Sequence, residues 1–235
     1  VAALSETPAR ALAIFAHPDD PEVSCAGTLT RWVADGCEVH LLIANAGEKG
    51  AAPPGTDPLA LAARRAAEAD AAASVMGLAG HEMLGIPDGE LENTVELRAE
   101  LVRRIRALRP EVVIAPDPTS VFFGSGYVNH HDHRALGWTV LDACAPMAAS
   151  PLYFPEAGPA HQVTTVLLSG TLEPDVWVDI SEHLPAKVAA LRCHASQLGD
   201  GIDLVTQVVE ARAAEAGQAG GMRYAEGFRR LSFRP

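Results

Sequence analysis

Short apolar runs recurring between stretches of helical spacing constrain this chain more than any other feature. Ala11 to Ala16 is apolar and of strand length, Gly27 to Asp35 has helical spacing, and Glu38 to Ala44 (EVHLLIA) is strand-like again. A strand, a helix and a strand within about 35 residues match the length of a βαβ unit. Leu59 to Met76 is Ala-rich and ends at Gly77, and His81 to Ile86 reads as a strand before the turn Pro87-Asp88-Gly89. Val95 to Leu108 is an amphipathic helix with Arg103, Arg104, Arg106 and Arg109 near its C-terminal end, where cations suit the helix dipole. Pro110 stops it, and Val112 to Ala115 follows as a buried strand. Pro116 to Val128 has loop composition, with Phe122, Phe123 and Tyr127 as apolar contact surface. Beyond it, His131 to Met147 and His183 to Ser196 carry helical patterns, and Val163 to Leu168 and Val176 to Ile180 those of strands. The alternation predicts an α/β fold, a three-layer sandwich with a mostly parallel sheet. No repeat or linker divides residues 1–235, which predicts one domain.

With 48% hydrophobic and 20% charged residues, the chain can bury one substantial core. Its formal charge of −12 is spread over helical faces, which argues against a phosphate backbone, so no nucleic-acid partner is expected. Cys25, Cys37, Cys144 and Cys193 form no CxxC pair and read as small buried hydrophobes of a reducing compartment, pointing to the cytoplasm. No basic leader with a signal-type apolar run opens the sequence, and no apolar stretch reaches the roughly 20 residues of a membrane helix. No membrane partner is expected, and a homo-oligomer is compatible with the sequence.

The chemistry-bearing residues fall in two clusters. Ala16-His17-Pro18-Asp19-Asp20-Pro21-Glu22 follows the first strand, and the carboxyl end of a strand is where open α/β sheets place ligands. Asn129-His130-His131-Asp132-His133 opens a helical pattern more than a hundred residues later. Catalytic zinc takes three protein ligands and leaves a position for water. His17 and Asp20, three apart in a Pro-containing turn, can reach one point while Asp19 addresses the bound water. His133 is the expected third ligand. His130 lies one helical turn earlier on the same face, so one imidazole can bind metal while the other faces substrate. Taken singly, the first cluster could be a turn with an Asp cap and the second a solvated helix start; together they complete a ligand set. No GxGxxG, GxxxxGK[ST] or GxSxG motif is present, so nucleotide binding and a serine nucleophile lack local support.

These clusters, with Cys25-Ala26-Gly27-Thr28-Leu29, closely resemble the motifs of the LmbE-like, or PIG-L, deacetylase family. Gly47-Glu48-Lys49-Gly50, Arg65-Ala66-Ala67-Glu68, Pro87-Asp88-Gly89-Glu90-Leu91, Arg109-Pro110-Glu111-Val112-Val113, His194-Ala195-Ser196-Gln197 and Tyr224-Ala225-Glu226-Gly227-Phe228 are similar to family landmarks, in the family's order. The resemblance implies a Rossmann-like sheet with a zinc-dependent N-deacetylase site: Zn2+ on His17, Asp20 and His133, and Asp19 as general base. It implies His130 as oxyanion stabiliser, expected to act as a charged imidazole, and Asp132 as the carboxylate that orients it. Two departures, Pro21 after Asp20 and His131 in place of a frequent Pro, touch only the local turn geometry and the role of Glu22, which stays outside the ligand set.

Arg65 matches a family arginine that can contact substrate, while its spacing from Glu68 equally suits a surface helical pair. Asp88 is turn chemistry or a substrate-binding group on the catalytic edge. His194 fits a structural, hydrogen-bonded histidine at a helix end. The implied substrate is a small N-acetylated molecule of N-acetylglucosamine type, released as acetate and free amine. Alternatives are amidase action on a thiol conjugate or natural-product intermediate, and a noncatalytic small-molecule-binding domain.

Overall fold

The computed structural model describes residues 2–233. Its strands are β1 (Ala2–Ala3), β2 (Arg10–Phe15), β3 (Glu38–Ile43), β4 (Gly80–Met83), β5 (Val112–Pro116), β6 (Phe122–Phe123), β7 (Tyr127–Val128), β8 (Thr165–Ser169), β9 (Val176–Asp179) and β10 (Ala225–Ser232). The helices are α1 (Asp20–Ser24), α2 (Ala26–Ala34), α3 (Pro58–Met76), α4 (Val95–Leu108), α5 (His131–Asp142), α6 (Leu184–Leu191), α7 (Ala195–Leu198) and α8 (Ile202–Gly220). One eight-stranded sheet runs in the order β1-β9-β10-β8-β5-β2-β3-β4, and β6 and β7 form a separate hairpin. β2 pairs parallel with β3 and β5, β3 with β4, β5 with β8 and β1 with β9; β10 is antiparallel to both its neighbours. This is the expected α/β architecture with a mostly parallel sheet.

Period-2 alternation builds the two core layers. Ala11, Ala13 and Phe15 of β2 face a cluster with Leu29 and Trp32 of α2 and Met76 of α3, while Leu12 and Ile14 face one with Leu101 and Ile105 of α4 and Leu136 of α5. Strand order turns back between β2 and β5, since β3 and β4 lie to one side of β2 and β5 to the other. The crevice beyond the carboxyl ends at such a switch point is where α/β sheets bind ligands, and His17 leaves β2 into it.

Local signals set most boundaries. Asp57 caps α3 by accepting from the Leu59 N–H at 3.0 Å, and Gly77 ends it at φ 71°, a left-handed conformation that costs glycine little. Four expectations need correction. The helix expected to reach Met147 ends at Asp142, because Pro146 lacks an N–H and Ala145 before it is extended. The pattern from His183 to Ser196 breaks between α6 and α7 at Arg192 to His194. Arg106 is no dipole-facing surface cation: it is 3% exposed and donates to carbonyls of the segment after α5, among them Ser150 at 2.7 Å and Phe154 at 2.8 Å. Finally, α8 and the antiparallel β10 have no counterpart in the pattern reading. β10 is held through Glu226, which accepts from the N–H groups of Gly27 (3.1 Å) and Thr28 (2.7 Å) at the start of α2 and pairs with buried Lys187.

Candidate active site

The first cluster folds as a tight turn. The Asp20 carboxylate accepts from the His17 N–H at 2.8 Å, and Pro21 sits in the first turn of α1, where no backbone donor is needed. The insertion of Pro21 therefore leaves Asp20 free to face His17. Glu22 points the other way, 1% exposed, towards His194, 0% exposed. Glu22 Oε2 and His194 Nε2 lie 3.3 Å apart, out of line for a hydrogen bond, so His194 is packed without hydrogen-bond partners for its ring nitrogens among the described residues. That departs from the expected hydrogen-bonded histidine. Burial holds the Glu22 carboxyl above its ordinary range; burial opposes charge on His194 too, but the Glu22 carboxylate outweighs it and raises the imidazole.

α5 brings the second cluster over this turn. His17 Nδ1 lies 3.1 Å from His133 Nε2, and Asp20 lies 3.3 Å from His17 Nδ1 and 3.1 Å from His133 Nε2. The outer ring nitrogens define the inner ones. His17 Nε2 faces Asp88 Oδ1 at 3.2 Å and His133 Nδ1 faces the Asn129 Oδ1 acceptor at 3.0 Å, so both carry the proton in the neutral rings. Two bare imidazole lone pairs and a carboxylate thus converge with no proton between them. The 3.1–3.3 Å spacings match the edge, about 3.3 Å, of a tetrahedron of zinc ligands. The donor set fits a divalent metal. Without one, a proton takes that place: burial opposes a charged His17, yet Asp20 and Asp88 outweigh it and its pKa is pushed up to about 10. Burial likewise opposes the Asp20 charge, but the two histidines hold its carboxyl well below the ordinary range.

The remaining expected residues sit around this centre. Asp19, at the edge of the cleft, accepts at Oδ1 from Arg65 Nη2 at 2.8 Å. Arg65 is 3% exposed and also donates to Gly47 O at 2.9 Å. Its place is behind Asp19, neither on the substrate face nor in a surface pair; Arg64 is the residue that meets Glu68, at 3.3 Å. A Cβ at Gly47 would lie 2.0 Å from the Arg65 guanidinium, so glycine lets the loop close over it. Asp88, 5% exposed, backs His17 rather than lining the cleft, and His17 holds its carboxyl below the ordinary range.

Asp132 is fully buried and its Oδ2 accepts from Asn45 Nδ2 (3.1 Å) and Gly89 N (2.8 Å), 3.7 Å from His17 Nε2. Its backbone N–H, not its carboxylate, fixes His130, by donating to Nδ1 at 3.2 Å. The neutral His130 therefore carries its proton on Nε2. Burial first, then the His17 charge, holds His130 below its ordinary pKa, against the expected charged imidazole. A second donor group, His17 with His130 and Asp132, shares His17 with the first; His130 Nδ1 and Asp132 Oδ2 are engaged there, while Asp132 Oδ1 has no partner among the described residues.

The reading of the sequence gave Asn129 and Asn45 no role, although each had a visible signal. Asn129 abuts the histidine cluster, and Asn45 follows an apolar strand as His17 does. The cleft is about 420 Å³, lined by Asp19, Asp20, His133, Phe123, Tyr127 and Arg212 among others. No described helix is long and apolar enough to cross a membrane.

Comparison with known proteins identifies the family. The family described as PIG-L, GlcNAc-PI de-N-acetylase, matches residues 12–144. The diacetylchitobiose deacetylase of Thermococcus kodakarensis is 32% identical over 225 residues, covering 94% of this chain and 82% of the relative. The 1D-myo-inositol 2-acetamido-2-deoxy-alpha-D-glucopyranoside deacetylase of Actinosynnema mirum is 28% identical, covering 81% of each. The solved N,N'-diacetylchitobiose deacetylase of Pyrococcus horikoshii superposes with a TM-score of 0.87 at 28% identity, over 96% of this chain and 84% of that one.

Proposed function

The chain belongs to the PIG-L family of de-N-acetylases, and on that premise we propose that it hydrolyses the acetamide of an N-acetylglucosamine-type sugar or small conjugate, yielding acetate and the free amine. The observation that carries this reading is the convergence of three groups able to hold one metal ion, His17 Nδ1, His133 Nε2 and Asp20, beside the anchored carboxylate of Asp19. A noncatalytic binding domain has no use for such a cluster.

Two imidazoles and a carboxylate suit zinc, which His17, Asp20 and His133 would hold. When bound, zinc makes water a competent nucleophile near neutral pH and polarises a carbonyl. The protein supplies the proton handling. Arg65 engages Asp19 Oδ1, leaving Oδ2 to take the proton of the attacking water and return it to the departing amine nitrogen. His130, tied at Nδ1, offers its Nε2–H to the carbonyl oxygen as negative charge grows there. Asp88 and Asn129 fix the ring orientations of His17 and His133. The four free cysteines, three of them buried, support a reducing, cytoplasmic setting.

The test is acetate and amine release from N-acetylglucosamine, N,N'-diacetylchitobiose and charged N-acetylglucosamine conjugates by the zinc-loaded protein. Turnover on at least one of them, abolished by a chelator and restored by zinc, is expected. Metal-loaded protein that binds these sugars and releases no acetate would overturn the reading.

A further inference from the structure

Beside the catalytic cleft, a second cavity of about 500 Å³ lies between α8 and the strands β9 and β10. Val23, Ser24, Phe123, Gly170 and Arg212 line both spaces, so the two meet along that line. The chemistry above uses the first space alone. We infer that the second cavity receives the group attached to the reacting sugar, and that Arg212 reads an anion on that group, a carboxylate or a phosphate. The inference rests on the N-deacetylase reading of the cleft.

The cavity exists because its walls are small. Ala213, Ala216 and Ala219 of α8 line one side, and Ala225 and Gly227 of β10 the other. Larger residues on this face of α8 would close the space.

Two cations border it, and they differ in what they have left to give. Lys187 is 2% exposed and spends its ammonium on Glu226 and on Val23 O at 3.1 Å. Arg212 is exposed and makes no hydrogen bond or ion pair with the described residues, whereas Arg192 and Arg229, also at the surface, meet Asp203 at 2.7 Å and Glu173 at 3.2 Å. Arg212 lines the catalytic cleft together with Asp20, Tyr127 and His133, which sets it beside the reacting end.

An anionic ligand approaching this protein meets a formal charge of −12 and, in the cleft, Asp19, Asp20 and Asp117. A guanidinium with no partner in that setting offers the planar, paired donors that suit carboxylate and phosphate oxygens. A neutral second sugar would leave it unused.

The experiment compares kcat/KM of the zinc-loaded full chain on three N-acetylglucosamine glycosides of similar length. One carries a neutral sugar, one a hydroxydicarboxylic acid and one a phosphodiester. At least one anionic glycoside is expected to exceed the neutral one by tenfold or more. In Arg212→Gln that ratio should fall at least tenfold, through KM with kcat retained, and Arg212→Lys should lie between. The two anionic arms identify the preferred anion. A neutral glycoside used as well as both anionic ones, or a ratio unmoved by Arg212→Gln, overturns the inference. If no glycoside releases acetate, the N-deacetylase reading fails, and calorimetric binding decides this one separately: tenfold weaker binding of an anionic glycoside to Arg212→Gln supports it, and equal binding overturns it.

Discussion

Two polar centres of this molecule, one buried at Glu226 and one half-buried at His17, differ in whether their hydrogen bonding is complete. At Glu226, Oε1 meets the Gly27 N–H and Lys187 Nζ, and Oε2 meets the Thr28 N–H and hydroxyl; donors answer acceptors and the charges cancel. At His17, Asp20 and His133, two ring nitrogens and a carboxylate lie within 3.3 Å of one another, and only a shared proton or a metal cation can join all three. A balanced centre of the first kind joins β10 to α2 and α6 and needs nothing from outside. The unbalanced one holds together when a cation is supplied. Both sites hold ionisable groups, so charge content alone does not separate architecture from chemistry; the balance of donors and acceptors does.

Substitutions can break that contrast. The largest effect is expected from His133→Ala, which removes one ligand: zinc per chain, measured by elemental analysis, should fall from one towards zero and turnover with it, while the circular dichroism spectrum stays that of the folded protein. Asp19→Asn should separate the functions within the unbalanced centre, keeping zinc while lowering kcat by about 100- to 10,000-fold. If Asp19→Asn loses metal as completely as His133→Ala, Asp19 is a ligand.

The balanced centre should respond in stability. Lys187→Met leaves Glu226 buried without its counter-ion and should cost about 3–5 kcal/mol in urea unfolding, with zinc per folded chain unchanged. Asp88→Asn is a smaller change, since an amide oxygen still accepts from His17 Nε2. Loss of the charge behind the ligand should weaken zinc about 10- to 100-fold in chelator competition.

The smallest effect concerns pH. In zinc-free protein the His17 pKa is raised from 6.5 to about 10, so its stabilising contribution is full below about 6.5 and is lost as pH rises through 10. The Tm of chelator-treated protein should fall across that window, and less so in Asp88→Asn. A Tm that rises from pH 7 to 10 would contradict the placement of His17 between two carboxylates.

Short-range geometry made the two halves of the candidate metal site legible in the sequence. His17 and Asp20 are joined by one turn, so their spacing already limits where their side chains point; His130, expected one helical turn before His133, is instead the extended N-cap residue of α5. The strands β2, β3, β5 and β8 were legible for a similar reason, because strands buried in a mostly parallel sheet are short apolar runs. β10 was not: its pattern, AEGFRRLS, mixes charges with apolar residues, and its place depends on Glu226 meeting the start of α2, nearly 200 positions away.

By itself the sequence pointed to the α/β class, to His17 at the carboxyl end of a strand and to the two clusters that hold the candidate ligands, since each follows from residue type and local spacing; the strand order that makes this edge a switch point, and the meeting of His133 with His17 across 116 positions, belong to the tertiary structure. Tertiary structure alone decided that Arg65 stands behind Asp19, that Asp88 backs His17, that the Asp132 N–H rather than its carboxylate holds His130, and that Arg212 borders two joined cavities. Charged side chains have many partners compatible with their spacing. Packing across 46 positions for Asp19 and Arg65, or 71 for His17 and Asp88, selects one of them, because only there does burial leave a charge no other answer.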